Sequence, residues 1–204
     1  MQLIGMFDSP YVRRVAITMR MLGIDFDHWP LSIFRSYDEF RTVNPLVKIP
    51  TLVCDDGEML VNSSLMIEYI ESLASRSLMP VEADSHRTGL QQIGVALVAA
   101  EKVVQRIYEL KIRPEEFRYE PWLDRISEQL TSALDQLEQS ASQIRNGSWL
   151  LGDWVSQTDI TTAVVWRFVV HAAPQMAAVD SRPSLVAFSE RAEALPEFLS
   201  CPIE

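Results

Sequence analysis

The first 76 residues alternate short apolar runs with amphipathic segments. The run "QLIGMF", residues 2–7, predicts a strand, and the spacing of apolar residues from Pro10 to Leu22 predicts a helix that ends at Gly23. The remaining elements are expected to be a strand over 25–31, a short helix over 37–43, two strands over 51–54 and 58–61 joined by a hairpin turn, and a helix that starts at Asn62-Ser63. The order β-α-β-α-β-β-α predicts a small mixed sheet of four strands covered by helices.

The rest of the chain carries helical periodicity without a strand pattern. A polar stretch that contains a proline, "SRSLMPVEADSHR", separates the two parts. We expect an α/β domain over residues 1–76, a linker over 77–86 and an all-helical domain over 87–204. The predicted helices of the second domain are a long segment over 87–110, a stripe from Trp122 to Ile144, a nearly all-apolar and therefore buried helix over 159–173, and an amphipathic helix over 183–195.

Composition and charge exclude several classes of function. The chain has 204 residues and a net charge of −10. Binding to nucleic acid needs clustered Lys and Arg, so we expect no nucleic-acid partner. The sequence has no apolar run long enough to span a membrane and no signal-peptide pattern at its start, which favours a cytoplasmic protein without a membrane partner.

The cysteines and histidines give no sign of a disulfide or a metal site. Cys54 and Cys201 are far apart and form no CxxC motif, which fits a reducing compartment. We expect Cys54 to be a buried thiol within a strand and Cys201 to be exposed in the tail. His28, His86 and His171 lack the spacing of metal ligands, so no metal is predicted.

Ser9-Pro10 lies where the first strand gives way to the first helix. Ser at the N-cap followed by Pro at the first helical position is an ordinary helix start. The same hydroxyl, placed beside a helix N-terminus, could instead stabilise an anion. The residues alone leave both readings open.

Two further segments suit an extended, acidic ligand. Pro50 must open its strand or lie at an edge, and a cis Ile49-Pro50 bond would turn the polar backbone groups of Ile49 outward toward a peptide. Asn62-Ser63 opens a helix, whose N-terminus attracts a carboxylate. The plain alternatives are that Pro50 only starts a strand and that Asn62-Ser63 only caps a helix.

Motifs along the whole chain resemble the cytosolic glutathione S-transferases. The stretch "NPLVKIPTLVCDDGEMLVNSSLMIEYIE", residues 44–71, is similar to the family's glutathione-binding half, and "SPYVRRVAI" resembles the strand–helix corner of its serine-type members. "WLLGDWVSQTDITTA", residues 149–163, resembles the entry to the family's buried helix, with Ser156 and Asp159 as a capping box of structural role. "RPSLVAFSERAEALPEF" is similar to its penultimate helix.

The resemblance implies a thioredoxin-like domain that holds glutathione, followed by an all-α domain that walls an apolar pocket for an electrophile. It implies addition of the glutathione thiolate to a small hydrophobic electrophile, with an isomerase or dehalogenase as variants, and a homodimer. Ser9 would donate a hydrogen bond to the sulfur anion, with Tyr11 as its rival. The other implied glutathione residues are Lys48, Ile49, Asn62 and Ser63, and the aromatic candidates for the electrophile pocket are Tyr11, Phe34, Tyr108 and Phe117. Neither cysteine occupies the Ser9 corner, which argues against the cysteine-type branch.

Two departures from the family pattern leave a second function open. Val47 stands where the family usually has Gly, and Asn62 stands where it usually has Glu or Asp to hold the γ-glutamyl amine. A neutral hydrogen bond contributes about 1 kcal/mol against ~1.5–3 kcal/mol for a charge-assisted one, so we expect weakened glutathione binding. The alternative function is therefore a transferase-like binding or regulatory protein with little or no transferase activity.

Overall fold

The computed structural model of the protein describes residues 1–145 and 147–203. They form two compact units. The first contains Met1–Leu78 together with the C-terminal segment from Ala194, and the second contains Met79–Glu193.

The first unit is a mixed four-stranded sheet with helices, as the sequence predicts. Its elements are β1 (Gln2–Ile4), α1 (Pro10–Leu22), β2 (Asp27–Trp29), α2 (Tyr37–Val43), β3 (Thr51–Val53), β4 (Met59–Val61), α3 (Ser63–Leu73) and the short C-terminal helix α9 (Pro196–Leu199). The strand order is β2-β1-β3-β4. β1 pairs in parallel with β2 and antiparallel with β3, so the sheet is thioredoxin-like with β1 and β3 at its centre.

Helix α1 is buried on almost every side. Within residues 10–19, every residue except the half-buried Tyr11 is buried, including the two adjacent arginines Arg13 and Arg14. Gly23 ends the helix with a left-handed backbone, at φ +68°, as its position in the sequence predicts. A helix buried in this way fixes the position of the residues at its N-terminus.

The C-terminal segment packs with the first unit, whereas the sequence pattern places residues 87–204 in one helical domain. Arg13 Nε donates to the carbonyl oxygen of Cys201 at 2.7 Å, and its guanidinium lies 5.6 Å from the ring centre of Phe198. These contacts bury Cys201, which the sequence analysis expects to be exposed, and burial raises the pKa of its thiol. Cys54 is half-buried rather than buried because it follows the last residue of β3.

The second unit is all helical. Its elements are α4 (Ala83–Ile107), a π-helical turn (Tyr108–Ile112), a 3₁₀ turn (Glu115–Phe117), α5 (Glu120–Ser142), α6 (Gln157–Ala172), α7 (Pro174–Ala177), a second 3₁₀ turn (Val179–Ser181) and α8 (Pro183–Glu193). Helix α4 begins inside the stretch predicted as a linker, because the Glu82 carboxylate caps it by accepting from the backbone N–H groups of Asp84 and Ser85 at 2.9 and 2.7 Å.

Helix α6 is the buried centre of the second unit, as its apolar pattern predicts. The capping box at its start is present, with Ser156 and Asp159 bonded to each other's backbone. Asp159 also accepts from the backbone N–H of Leu150 at 2.8 Å, and burial raises the pKa of its carboxyl group. Across the described residues, none of the helices combines the length and apolarity that crossing a membrane requires.

Candidate active site

The turn before α1 presents Ser9. The backbone N–H of Ser9 donates to the carbonyl oxygen of Met6 at 3.2 Å, and the Ser9 carbonyl accepts from Arg13 N at 3.0 Å. Among the described residues, the Ser9 hydroxyl makes no capping hydrogen bond to the helix. Ser9 is thus the N-cap residue by position, and Pro10 with the backbone bonds begins the helix without a bond from its side chain. The Ser9 side chain lies at the N-terminus of α1 and is only 8% exposed.

Gly5 brings the corner of Ser9 against the loop that precedes β3. Its φ is +134°, and a Cβ on Gly5 would lie 2.6 Å from Cγ2 of Val12 and 3.2 Å from Cγ2 of Ile49. Any other residue would therefore be strained in its backbone and would collide with α1. The absence of a side chain at this position lets the end of β1, helix α1 and Ile49 meet.

The Ile49-Pro50 peptide bond is cis, as predicted. Pro50 also immediately precedes β3, so the plain reading of a strand start holds as well. The loop is braced by Thr51, whose hydroxyl donates to the Lys48 carbonyl at 2.7 Å and accepts from the buried Asn44 amide at 2.8 Å. This holds Ile49 half-buried and leaves Lys48 exposed.

Helix α3 begins at the second predicted contact region. Asn62 is its N-cap and accepts from Ser64 N at 2.9 Å through Oδ1. Its φ is +75°, a conformation that Asn tolerates better than most residues. Capping, the plain reading of Asn62, therefore holds. Ser63 is buried just inside the helix.

The sequence analysis missed Arg14, which lies against the start of α3. Its Nη1 donates to the hydroxyl oxygens of Ser63 at 3.0 Å and Ser64 at 3.2 Å. Arg14 is only 2% exposed, and this burial lowers the pKa of its guanidinium to about 10, so it remains a cation at neutral pH. A cation and two hydroxyl groups at a helix N-terminus form an arrangement suited to a carboxylate. The helical spacing of α1 could have shown that Arg14 is buried, but its partners lie 49 and 50 residues away.

The aromatic candidates are divided between the two units. Phe34 is exposed between β2 and α2, and Tyr11 is half-buried on α1. Tyr108 opens the π-helical turn and Phe117 ends a 3₁₀ turn, both in the second unit and both exposed. In the first unit, Ser9 lies at the N-terminus of α1, and Arg14 of the same helix bonds to Ser63. In the part of the chain that the structure describes, no group of three or more His, Cys, Asp and Glu could hold a metal ion.

Comparisons with known proteins agree with the fold of the first unit. Residues 3–78 match the model of the glutathione S-transferase N-terminal domain. These residues form a glutathione S-transferase N-terminal domain. The chain is 25% identical to maleylacetoacetate isomerase from Mus musculus over 82% of this chain and 79% of that protein. It is 27% identical to a zeta-class glutathione S-transferase from Euphorbia esula over 97% of this chain and 88% of that protein.

A solved glutathione S-transferase has the same architecture. The enzyme from Methylobacterium radiotolerans, in complex with glutathione sulfonate, superposes with a TM-score of 0.88 over 98% of this chain and 93% of its own, at 25% identity. The thioredoxin-like domain and the helical part predicted from the sequence thus match the architecture of a glutathione S-transferase.

Val47 has a left-handed backbone conformation, which explains why the family pattern prefers glycine at this position. Val47 has φ +46°, which is unfavourable for a β-branched residue, and its side chain packs against the cluster of Ile4, Leu31 and Phe40. Val47→Ala should lower the free energy of unfolding, because the strain stays and the packing is lost. Val47→Gly removes the strain as well and should be more stable than Val47→Ala by about 1 kcal/mol. Chemical denaturation of the three proteins measures this order, and an alanine variant as stable as the glycine variant would contradict it.

Proposed function

We propose that the protein is a glutathione transferase that adds the glutathione thiolate to a small hydrophobic electrophile. The observation that carries this proposal is the Ser9 hydroxyl, which lies at the N-terminus of α1 and is not used as a cap. The cysteine-type chemistry of the family would need a thiol at this corner, and the corner holds a serine. The candidates for binding the electrophile are Tyr11 and Phe34 of the first unit and Tyr108 and Phe117 of the second.

The start of α3 would hold the γ-glutamyl end of glutathione. The Ser63 hydroxyl oxygen already accepts from Arg14, so its proton is left to donate to a ligand carboxylate. The buried cation adds to the partial positive charge of the helix N-terminus. The backbone of Ile49 would pair with the central peptide of glutathione, as in strand addition, and exposed Lys48 would face its acidic end.

Ser9 would then lower the pKa of the bound thiol. A serine hydroxyl is too weak a base to remove the thiol proton, but it can donate a hydrogen bond to the sulfur anion. A shift from about 8.5 to about 6.5 needs ~2.7 kcal/mol of preferential anion stabilisation. One hydrogen bond to a charged acceptor contributes ~1.5–3 kcal/mol, and the N-terminus of α1 adds ~0.3–1 kcal/mol. Together they contribute ~1.8–4 kcal/mol, a range that includes the stabilisation required.

A second candidate is isomerisation with glutathione as a catalyst that is not consumed. The observation that favours it is the similarity of the chain to the maleylacetoacetate isomerase of Mus musculus. Thiolate addition to a double bond followed by elimination would use the same Ser9 site as conjugation. Product analysis separates the two functions, because conjugation consumes glutathione and isomerisation leaves its concentration unchanged. A protein that binds glutathione but does neither would be the binding module that Val47 and Asn62 leave open.

We also propose a cytoplasmic homodimer. Helix α3 exposes Leu65, Tyr69 and Leu73 at intervals of one helical turn, and Met59 of β4 is exposed in the same unit. Apolar residues aligned on one helix face are typical of an interface between subunits. A second copy of the chain would cover this stripe.

Replacing Ser9 by alanine tests the proposed reaction. Ser9→Ala should raise the pKa of the bound glutathione thiol by about 1–2 units and slow conjugation of a chloronitroarene roughly tenfold or more. The melting temperature should change little, because the Ser9 side chain makes no cap. Ultraviolet titration of the thiolate and steady-state kinetics measure both effects. Ser36→Ala is the matched control, since Ser36 is also an N-cap residue without a side-chain cap bond. Equal conjugation rates for Ser9→Ala and the parent protein would contradict the proposal.

The role of Asn62 can be tested without losing the helix cap. Asn62→Asp keeps an oxygen that can accept from Ser64 N and adds the charge that the family places near the γ-glutamyl amine. We expect glutathione to bind more tightly by up to ~1–2 kcal/mol, measured by isothermal titration. Asn62→Ala is the comparison variant and should lose about 1 kcal/mol of stability with the cap. An aspartate variant with unchanged affinity would show that Asn62 does not face the amine.

The apolar stripe of α3 predicts how the dimer can be broken. Leu65→Glu should shift the protein from dimer to monomer at micromolar concentration in light scattering coupled to gel filtration, because a buried, unpaired carboxylate is unfavourable. Val81→Glu is the control, because Val81 is 98% exposed and lies outside the stripe. A parent protein that is monomeric, or a Leu65→Glu variant that stays dimeric, contradicts this interface.

A further inference from the structure

His28, the middle residue of β2, contacts the corner before α1 at two points. Its Nε2 lies 2.7 Å from the carbonyl oxygen of Gly5, and its ring is stacked on Phe7 with the ring centres 3.8 Å apart and the planes inclined by 6°. In the sequence, His28 stands out only as a possible metal ligand, and its spacing from the other histidines excludes that role. The two contacts involve the residues that lead from β1 into the turn of Ser9.

The hydrogen bond fixes the state of the imidazole. A carbonyl oxygen can only accept, so Nε2 carries the hydrogen and donates it. The backbone N–H of Gly5 donates in turn to the Trp29 carbonyl at 3.0 Å. Two consecutive residues of β2 therefore hold both polar backbone groups of Gly5, the residue whose left-handed φ and missing side chain allow β1 and α1 to approach.

The stacking contact holds the turn itself. Phe7 is buried inside the turn that the Ser9 N–H closes onto the Met6 carbonyl. The imidazole of His28 thus restrains the chain at Gly5, just before the turn, and at Phe7, within it. A single side chain that restrains both positions limits where the turn can place Ser9.

We infer that His28 is a positioning residue for the Ser9 hydroxyl. The inference rests on the proposed role of Ser9 as the donor to the thiolate. A hydrogen bond weakens steeply with poor angle and added distance, and a misplacement of about 1 Å can cost up to ~100-fold in rate. His28 keeps the turn in the geometry that directs the Ser9 hydroxyl at the sulfur, and it takes no part in the reaction itself.

Two substitutions separate the contacts of His28. His28→Phe keeps a ring that can stack on Phe7 and removes the donor to Gly5, whereas His28→Gln keeps an N–H donor and removes the ring. Each should raise the pKa of the bound glutathione thiol and lower kcat about 3- to 10-fold, with KM for glutathione within about twofold of the parent. The control is His86→Phe. His86 also contacts a backbone carbonyl, that of Pro80 at 3.0 Å, but it belongs to the second unit, and its substitution should change neither quantity.

A double-mutant cycle with Ser9→Ala provides the decisive measurement. If His28 acts through Ser9, His28→Phe should slow the Ser9→Ala enzyme less than about twofold while slowing the parent several-fold. An equal loss of kcat in both backgrounds would assign His28 a general structural role and overturn the inference. Parent-like kcat and thiol pKa in both His28 variants would overturn it too and would leave the proposed function intact. If the parent protein binds no glutathione as the thiolate at neutral pH, the proposed function is contradicted, and this inference is contradicted with it.

Discussion

The burial of helix α1 determines most of what the first unit can do. Two adjacent guanidinium groups, Arg13 and Arg14, lie inside it, and burying a charge is costly unless hydrogen bonds replace its water. Arg13 meets this requirement with carbonyl groups of the C-terminal segment, and Arg14 meets it with the hydroxyl groups at the start of α3. The same helix begins at Ser9. Two candidate contact regions for glutathione are therefore attached to one rigid element.

The local parts of the fold could be predicted from the sequence. Helix α2 was predicted over its observed residues, and helix α1 with its glycine stop was predicted as well, because helical spacing and stop signals act within a few residues. The start of α4 was missed because the cap is Glu82, a residue outside the usual set of N-cap residues. The place of the C-terminal segment was missed because its contact with Arg13 joins residues 188 positions apart, which no local pattern reports.

The candidate site also combines features that short motifs predict with features that depend on contacts between distant residues. Ser9, the cis Ile49-Pro50 bond and the start of α3 follow from short motifs and their resemblance to a family. The role proposed for Arg14 depends on a contact between two helices, and the role proposed for His28 depends on a contact between a strand and a turn, so neither could be inferred from its neighbours in sequence. Both departures from the family pattern, Val47 and Asn62, lie at positions with positive φ. Asn62 suits its conformation and Val47 does not, so the two departures differ in their cost to the backbone.

The C-terminal segment also affects the order in which the two units can be completed during synthesis. The first unit is discontinuous in sequence, because its last part, from Ala194 onward, follows the whole of the second unit. During synthesis, Arg13 emerges early, whereas the carbonyl groups of Phe198 and Cys201 that it contacts emerge only after the whole second unit. Domains generally fold as units, N-terminal first, while the chain is being made. Here the bonds from Arg13 to Phe198 and Cys201 can form only after the second unit has been synthesised, so the unit with the candidate glutathione site is completed only after the residues of the other have been made.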